Sequence, residues 1–405
     1  MTRLKQHYIL ILALTLILFS CYALAAPKTL KIYFDADRTG HIESARSIEQ
    51  GVKVAFDEIG NELNGLPVEF VVLDHRGNVG RSKKNMKRFL KDPEGLVYVA
   101  GLHSPPLIKY REFINQSKLL MLVPWAAGGP ITRYPSKDNY VFRLSVDDKK
   151  VGKHLVKSAI ENQCKNPRML LEETGWGKSN FNSITTALKE NNVEGVEVTW
   201  FSWGINDAQA RLLLEQAKQK DNDCLFMVSN AREGALIVKA AGDINLDIKI
   251  FSHWGITGGK FAQQIPFEQR NKAGLRFIQS CFNFYSSDES VLSKQVFASA
   301  KAQFPKQFES KNIKAPAGFV HGYDIAKVFI QAAKNVTFTD NMVDNRVALK
   351  TSLENLPKPV EGLLKTYKSP FSEFSQNLPD AHEALGGDDL CMAVYDASNA
   401  VKLIE

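Results

Sequence analysis

Apolar and polar positions alternate along this chain in a strand–helix rhythm. Leu30–Phe34 is a short apolar run that predicts a strand. Ser44–Ile59 then carries Ile48, Val52, Ala55, Phe56 and Ile59 at helical spacing. Val68–Leu73 predicts a second strand, ending at Asp74, and Arg81–Leu90 a second helix. Leu96–Ala100 predicts a buried strand that stops at Gly101. Ser104 and a proline pair follow, then a helical stretch containing Leu107, Tyr110 and Ile114. Leu119–Val123 is a further apolar run, broken at Pro124 into Trp-Ala-Ala-Gly-Gly-Pro. This order of elements builds a doubly wound parallel sheet, in which ligands bind outside the carboxyl ends of the strands.

The rhythm restarts after Val141–Asp147. A helix is predicted over Lys150–Glu161, then strand Arg168–Leu171, helix Asn180–Asn191 and strand Glu197–Trp200. Helix Asp207–Lys218, strand Cys224–Val228, helix Glu233–Ala241 and strand Ile248–Ser252 complete a second α/β series. Gly274–Tyr285 is strand-like, and Ser290–Gln303 and Gly318–Lys334 return to helix. Pro357, Pro359 and Pro370 mark return passes before a strand at Leu390–Tyr395 and a last short strand. The expected fold is α/β with two lobes. The limits are a leader over 1–25, lobe one over 26–143, lobe two over 144–282, a return to lobe one over 283–358 and to lobe two over 359–405.

The leader has its own pattern. Arg3 and Lys5 precede the apolar run Tyr8–Phe19, and Ala23-Leu24-Ala25 is a small-x-small cleavage site. This predicts a secretory signal peptide, with an apolar stretch too short to span a bilayer comfortably. A lipid anchor at Cys21 is the weaker reading, because the bulky Phe19 precedes Ser20. The exported chain of about 380 residues exceeds one typical hydrophobic core. The net charge of +7 is spread along the sequence. Lys83, Lys84, Lys87 and Arg88 form a solvated helix face without aromatic interleaving, so no nucleic-acid partner is expected.

Cys164, Cys224, Cys281 and Cys391 remain in the exported chain. An even count there favours disulfides. Cys164 precedes one predicted strand and Cys224 opens another, so parallel neighbours entered from the same end would pair them, leaving Cys281 for Cys391. Buried free thiols are the alternative.

Catalytic motifs fail their own patterns. Gly175-Trp176-Gly177-Lys178-Ser179 resembles a phosphate loop, but Glu172 stands where the first glycine is required. The run predicts a loop that opens a helix at Asn180. Ser104 lacks a Gly-x-Ser-x-Gly context. The eight histidines are scattered without metal-ligand spacing, so neither metal nor cofactor is expected, and no catalytic residue is assigned. The five tryptophans are more informative, since all lie between residues 125 and 254. Trp200 and Trp203 fit a core role. Trp125, Trp176 and Trp254 each follow a strand end in a Gly-flanked loop, which suits an aromatic-walled pocket.

The order of these motifs resembles the periplasmic solute-binding proteins of type I fold, in the branched-chain amino acid (Leu/Ile/Val-binding) group of ABC transporters. The resemblance rests on LKIYF, QGVKVAFDEI, NGLPVEF leading to VVLDHRGN, GLHS, LLMLVPWAAGGPIT, YVFRLSVDD, the Gly-Trp-Gly loop and SHWGITGG. It implies two doubly wound lobes joined by three hinge crossovers. It also implies a monomer that closes on a small solute and delivers it to a membrane permease; a sensing subunit signalling to a membrane receptor is the alternative. Ser104 matches the family's carboxylate anchor. Trp125, Ala126 and Ala127 match the next contact loop, with Ala127 in the place of the ammonium-binding Thr. Trp176 matches an aromatic wall and Asn230 another aromatic contact. His253 and Trp254 stand where the acidic partner of the ammonium is expected. With that anion missing, Glu43 and Glu233 are the candidate replacements. Otherwise the solute lacks a free α-amino group, as an aromatic acid, an amide or another small carboxylate does.

Overall fold

The computed structural model describes residues 29–284, 290–310 and 313–404. The expected leader, Cys21 and Tyr285 lie outside the described residues. In the first lobe the strands are β1 (Leu30–Ala36), β2 (Glu62–Leu63), β3 (Leu66–Asp74), β4 (Gly95–Ala100), β5 (Met121–Val123) and β6 (Val141–Arg143). They form one sheet in the order β2-β3-β1-β4-β5-β6, parallel except at the β2–β3 pair. The apolar run of β4 is buried along its whole length, as a strand covered by helices on both faces must be.

The second lobe begins with β7 (Pro167–Glu172), β8 (Glu197–Phe201), β9 (Cys224–Val228), β10 (Lys249–Ser252) and β11 (Arg276–Ser280). After the hairpin of β12 (Val360–Glu361) and β13 (Thr366–Tyr367), β14 (Leu390–Tyr395) and β15 (Val401–Leu403) join it. The sheet order is β15-β14-β11-β10-β9-β7-β8, antiparallel only at the β11–β14 and β14–β15 pairs. The chain thus crosses between lobes three times: after β6, after β11 and before β14.

The helix Pro316–Ala333 returns to the first lobe and packs on Ile42–Asp57 backbone to backbone. A β-carbon on Gly51 would lie 2.1 Å from the Phe319 carbonyl, and one on Gly322 would lie 2.4 Å from that of Ile48. Glycine is therefore required at both positions. The segment 359–389, grouped with the second lobe by its sequence pattern, packs its hairpin against this first-lobe helix. Asp324 accepts the Leu363 and Leu364 N–H groups (2.6 and 3.0 Å) and the Tyr367 hydroxyl (2.7 Å). The second sheet takes the chain back only at Leu390.

Two further differences have local causes. The helix expected from Asn180 begins at Gly175, because Thr174 Oγ1 caps it by accepting the Gly177 N–H (3.2 Å). A helix over Met342–Glu354 has no clear apolar period in the sequence. Its inward face carries Arg346, which donates to the Gly95 carbonyl (2.8 Å), and the buried Lys350–Glu354 pair (2.7 Å).

Both expected disulfides form, Cys164–Cys224 and Cys281–Cys391, with Cα–Cα separations of 5.7 and 5.0 Å. The first staples the entrances of the neighbouring strands β7 and β9. At the hinge, the first and last crossovers are zipped together. Arg143 N–H donates to the His382 carbonyl (2.9 Å), and Ala384 N–H to that of Arg143 (3.0 Å). The Arg143 side chain, fully buried, pairs with Glu383 (2.9 Å) and donates to the Gly128 carbonyl (2.8 Å).

Candidate functional site

The carboxyl ends of the two sheets face each other across a cleft, where doubly wound sheets place their ligands. Leu102, His103, Ser104, Pro105 and Ala127 line it from the first lobe; Trp176, Trp203, Asn230 and Trp254 line it from the second. About 270 Å³ of space lies between these residues, part of it open to solvent, with room for little more than a single water molecule. The lobes touch across it. Gly129 N–H donates to Ser179 Oγ (3.1 Å), and a β-carbon on Gly258 would come within 2.6 Å of Leu102.

On the first-lobe wall, Ser104 opens the helix Ser104–Gln116 immediately beyond β4. Its hydroxyl oxygen accepts the Gly128 N–H (3.1 Å), leaving its own O–H for a ligand. Pro105 and Pro106 occupy the next two positions. They lack N–H groups, so this helix start offers fewer backbone donors to an anion than an ordinary one.

Adjacent strands build the second-lobe wall. Trp176 follows β7, Trp203 follows β8, Asn230 follows β9 and Trp254 follows β10. Glu172, the last residue of β7, organises two of them. It is fully buried and accepts Asn230 N–H (3.0 Å), Asn230 Nδ2 (2.8 Å) and the indole N–H of Trp203. Burial pushes its pKa up to about 8 despite the hydrogen bond from Trp203, with Glu233 adding to the rise and Asn230 opposing it. Trp254 packs edge-on against His321 (5.6 Å) and His253 (5.5 Å).

The fold brings Ser104, Ala127, Trp176, Asn230 and Trp254 to the cleft. Three other expected contact residues are elsewhere. Trp125 is fully buried beneath the helix Pro316–Ala333, its ring against Gly318, because the chain turns inward directly after β5. Ala126 belongs to the first-lobe core with Tyr33, Met121 and Val141. His253 lies behind the wall, its Nε2 on Asp148 Oδ1 (3.1 Å) and its ring edge-on to Trp176 (4.9 Å). Glu43 and Glu233 also miss the cleft. Glu43 faces Lys260 (3.9 Å), and Glu233 accepts the Gly204 N–H (3.0 Å). Among the described lining residues there is no carboxylate.

The sequence pattern missed Leu102, His103, Pro105 and Trp203. Trp203 fits a core role by its sequence pattern, yet it follows β8 in the Ser-Trp-Gly turn, the same strand-end position that singles out the other tryptophans. A cluster of potential metal ligands was also missed. One ligand atom each from Asp37, His41 and His103 lies within 4.8 Å of the others. Cys164, Asp223 and Cys224 are similarly close, but the disulfide occupies both thiols.

Two α/β lobes hinged over a cleft between strand ends define a solute-binding protein. The family profile described as periplasmic binding protein matches residues 30–377, and the chain belongs to that family. No curated protein matches it by sequence. Among solved structures it is similar to a solute-binding protein of an ABC transporter from R. palustris in complex with benzoate. There the TM-score is 0.74 at 16% identity, covering 93% of this chain and 95% of that one. A possible leucine/isoleucine/valine-binding protein from Rhodopirellula baltica gives 0.75 at 14% identity, covering 94% and 97%. A leucine-binding protein from Thermotoga maritima gives 0.70 at 16% identity, covering 93% and 98%. At these identities the likeness is one of fold. No described helix is long and apolar enough to cross a membrane.

Proposed function

We propose that this chain is the periplasmic substrate-binding protein of an ABC importer, exported by the leader over 1–25. It closes two lobes on a small planar solute that has no free α-ammonium group and passes it to the membrane permease. The lobe limits drawn from the sequence serve this reading, with β12 and β13 moved to the first-lobe side. The observation that carries it is the lining of the cleft. Trp176, Trp203 and Trp254 supply flat apolar walls for a ring, and the Ser104 O–H supplies a donor for a carboxylate or amide oxygen. Asn230 gives its backbone N–H and one side-chain N–H to Glu172, which leaves its amide oxygen and its second side-chain N–H for the solute.

An α-ammonium group would meet no carboxylate on these walls, and a buried charge without a partner costs several kcal/mol. The benzoate held by the R. palustris protein is a precedent for an aromatic acid in this fold. A thermal-shift screen over aromatic acids, their amides, amino acids and quaternary amines tests the reading. A bound solute at 100 times its Kd stabilises by about 2.7 kcal/mol. An aromatic acid or amide should raise the midpoint and change the tryptophan fluorescence, and Trp203→Ala should weaken its binding. Tight binding of leucine or valine, with no response to any aromatic acid or amide, would overturn it.

A further inference from the structure

Three neighbouring parallel strands release their carboxyl ends side by side on the first-lobe wall, in the order β3-β1-β4. The residues beyond them are His75 after β3, Asp37 and His41 after β1, and His103 after β4. Sequence separation hides this grouping; sheet topology creates it. Both ring nitrogens of His103 are buried without a hydrogen-bond partner, as are His41 Nε2 and His75 Nδ1. Four buried nitrogens left unpaired in one place is costly unless something occupies them. His103 stacks obliquely on Trp203 across the cleft (5.2 Å), and its ring lies 4.6 Å from that of His41 and 5.7 Å from that of His75.

We propose that Asp37, His41 and His103 form a binding site for a late first-row divalent cation, of which Zn²⁺ is the type, behind the first-lobe wall of the cleft, with His103 the one member that lines it. Two imidazoles and a carboxylate are the donor set such ions take. The Asp37 carboxylate is already oriented. One oxygen accepts Gly40 N–H (2.8 Å) and Thr39 N–H (3.1 Å), while the other lies 3.1 Å from His41 Nδ1, close to the edge of a tetrahedral site, so that an ion would take the place of the proton they share.

The donor atoms lie within 4.8 Å of one another, whereas bonds of ~2.0–2.1 Å to a tetrahedral ion set them roughly 3.3 Å apart. Binding therefore requires the His103 ring, which no hydrogen bond restrains, to shift towards the other two donors. His75 is the nearest further imidazole. The site needs no assumption about which solute the cleft takes.

The test uses the exported chain without a polyhistidine tag, stripped with EDTA and titrated with ZnCl₂ by calorimetry. One equivalent should bind saturably, and His103→Gln and Asp37→Asn should each weaken it by about 100-fold or more. Zinc should also shield His103 of the unaltered protein from diethyl pyrocarbonate, mapped by mass spectrometry, which covers the case of a variant that does not fold. Absence of saturable binding, unchanged affinity in both folded variants, or His103 labelling that ignores zinc would each overturn the proposal.

Discussion

Glu172→Gln isolates the carboxylate that holds the second-lobe wall of the cleft. The folded-state pKa of Glu172 is about 8 against an ordinary value of 4.5, chiefly because the group is buried. Between these values the folded chain keeps the proton and the unfolded chain does not. Stability from this group is therefore fully present below about pH 4.5 and is lost as pH rises through 8. The loss runs at about 1.4 kcal/mol per pH unit and totals on the order of 5 kcal/mol. Glutamine has no such titration. Its amide can still accept both Asn230 donors, but its NH₂ then faces the Trp203 N–H, an offset of roughly 1–3 kcal/mol. Urea unfolding at pH 5, 6, 7 and 8, followed by circular dichroism, compares the two proteins and cancels every other titrating group. The variant should start less stable and gain about 4 kcal/mol on the parent between pH 5 and 8. Parallel profiles would refute the assignment of a protonated, buried Glu172.

Ser104→Ala removes the hydroxyl donor from the first-lobe wall and should cost roughly 1–3 kcal/mol in binding of a carboxylate solute; equal affinity by calorimetry would remove Ser104 from the contact set. Each disulfide closes a long loop, of 60 residues for Cys164–Cys224 and 110 for Cys281–Cys391 in sequence separation. Replacing either pair by serine should cost up to about 4–5 kcal/mol, read from urea midpoints, with the longer loop losing slightly more. Arg143→Met leaves Glu383 buried at the hinge without its closest cation (2.9 Å). A loss of roughly 3–5 kcal/mol is expected, and a change below about 1 kcal/mol would show that Arg133 and Lys150 suffice.

Local order was legible in the sequence wherever burial imposes a period. The fully buried runs of β4, β7 and β9 and the helix Asp207–Gln219 need only their own residues to be read. Strand entrances paired Cys164 with Cys224 on the condition that their strands are neighbours, which the adjacent β7 and β9 meet. Loop positions after strand ends pointed to Trp176 and Trp254 for the same reason, since a parallel sheet presents all such loops on one edge.

Side-chain direction at those loops was not legible. Trp125 and Trp203 both follow strands, yet one turns beneath a helix against Gly318 and the other into the cleft, tethered by Glu172. That choice depends on residues about 190 and 30 positions away, which no local pattern encodes. The Asp37–His41–His103 group is the extreme case. Its members belong to two strand ends that the sheet order places side by side, and their separation along the chain carries no ligand spacing. The sequence by itself determined the two-lobed α/β frame and the edge on which a site must lie, because hydrophobic period and strand direction are local properties. Tertiary structure alone decided which side chains meet there, because their neighbours come from distant segments whose register only the packed sheets define.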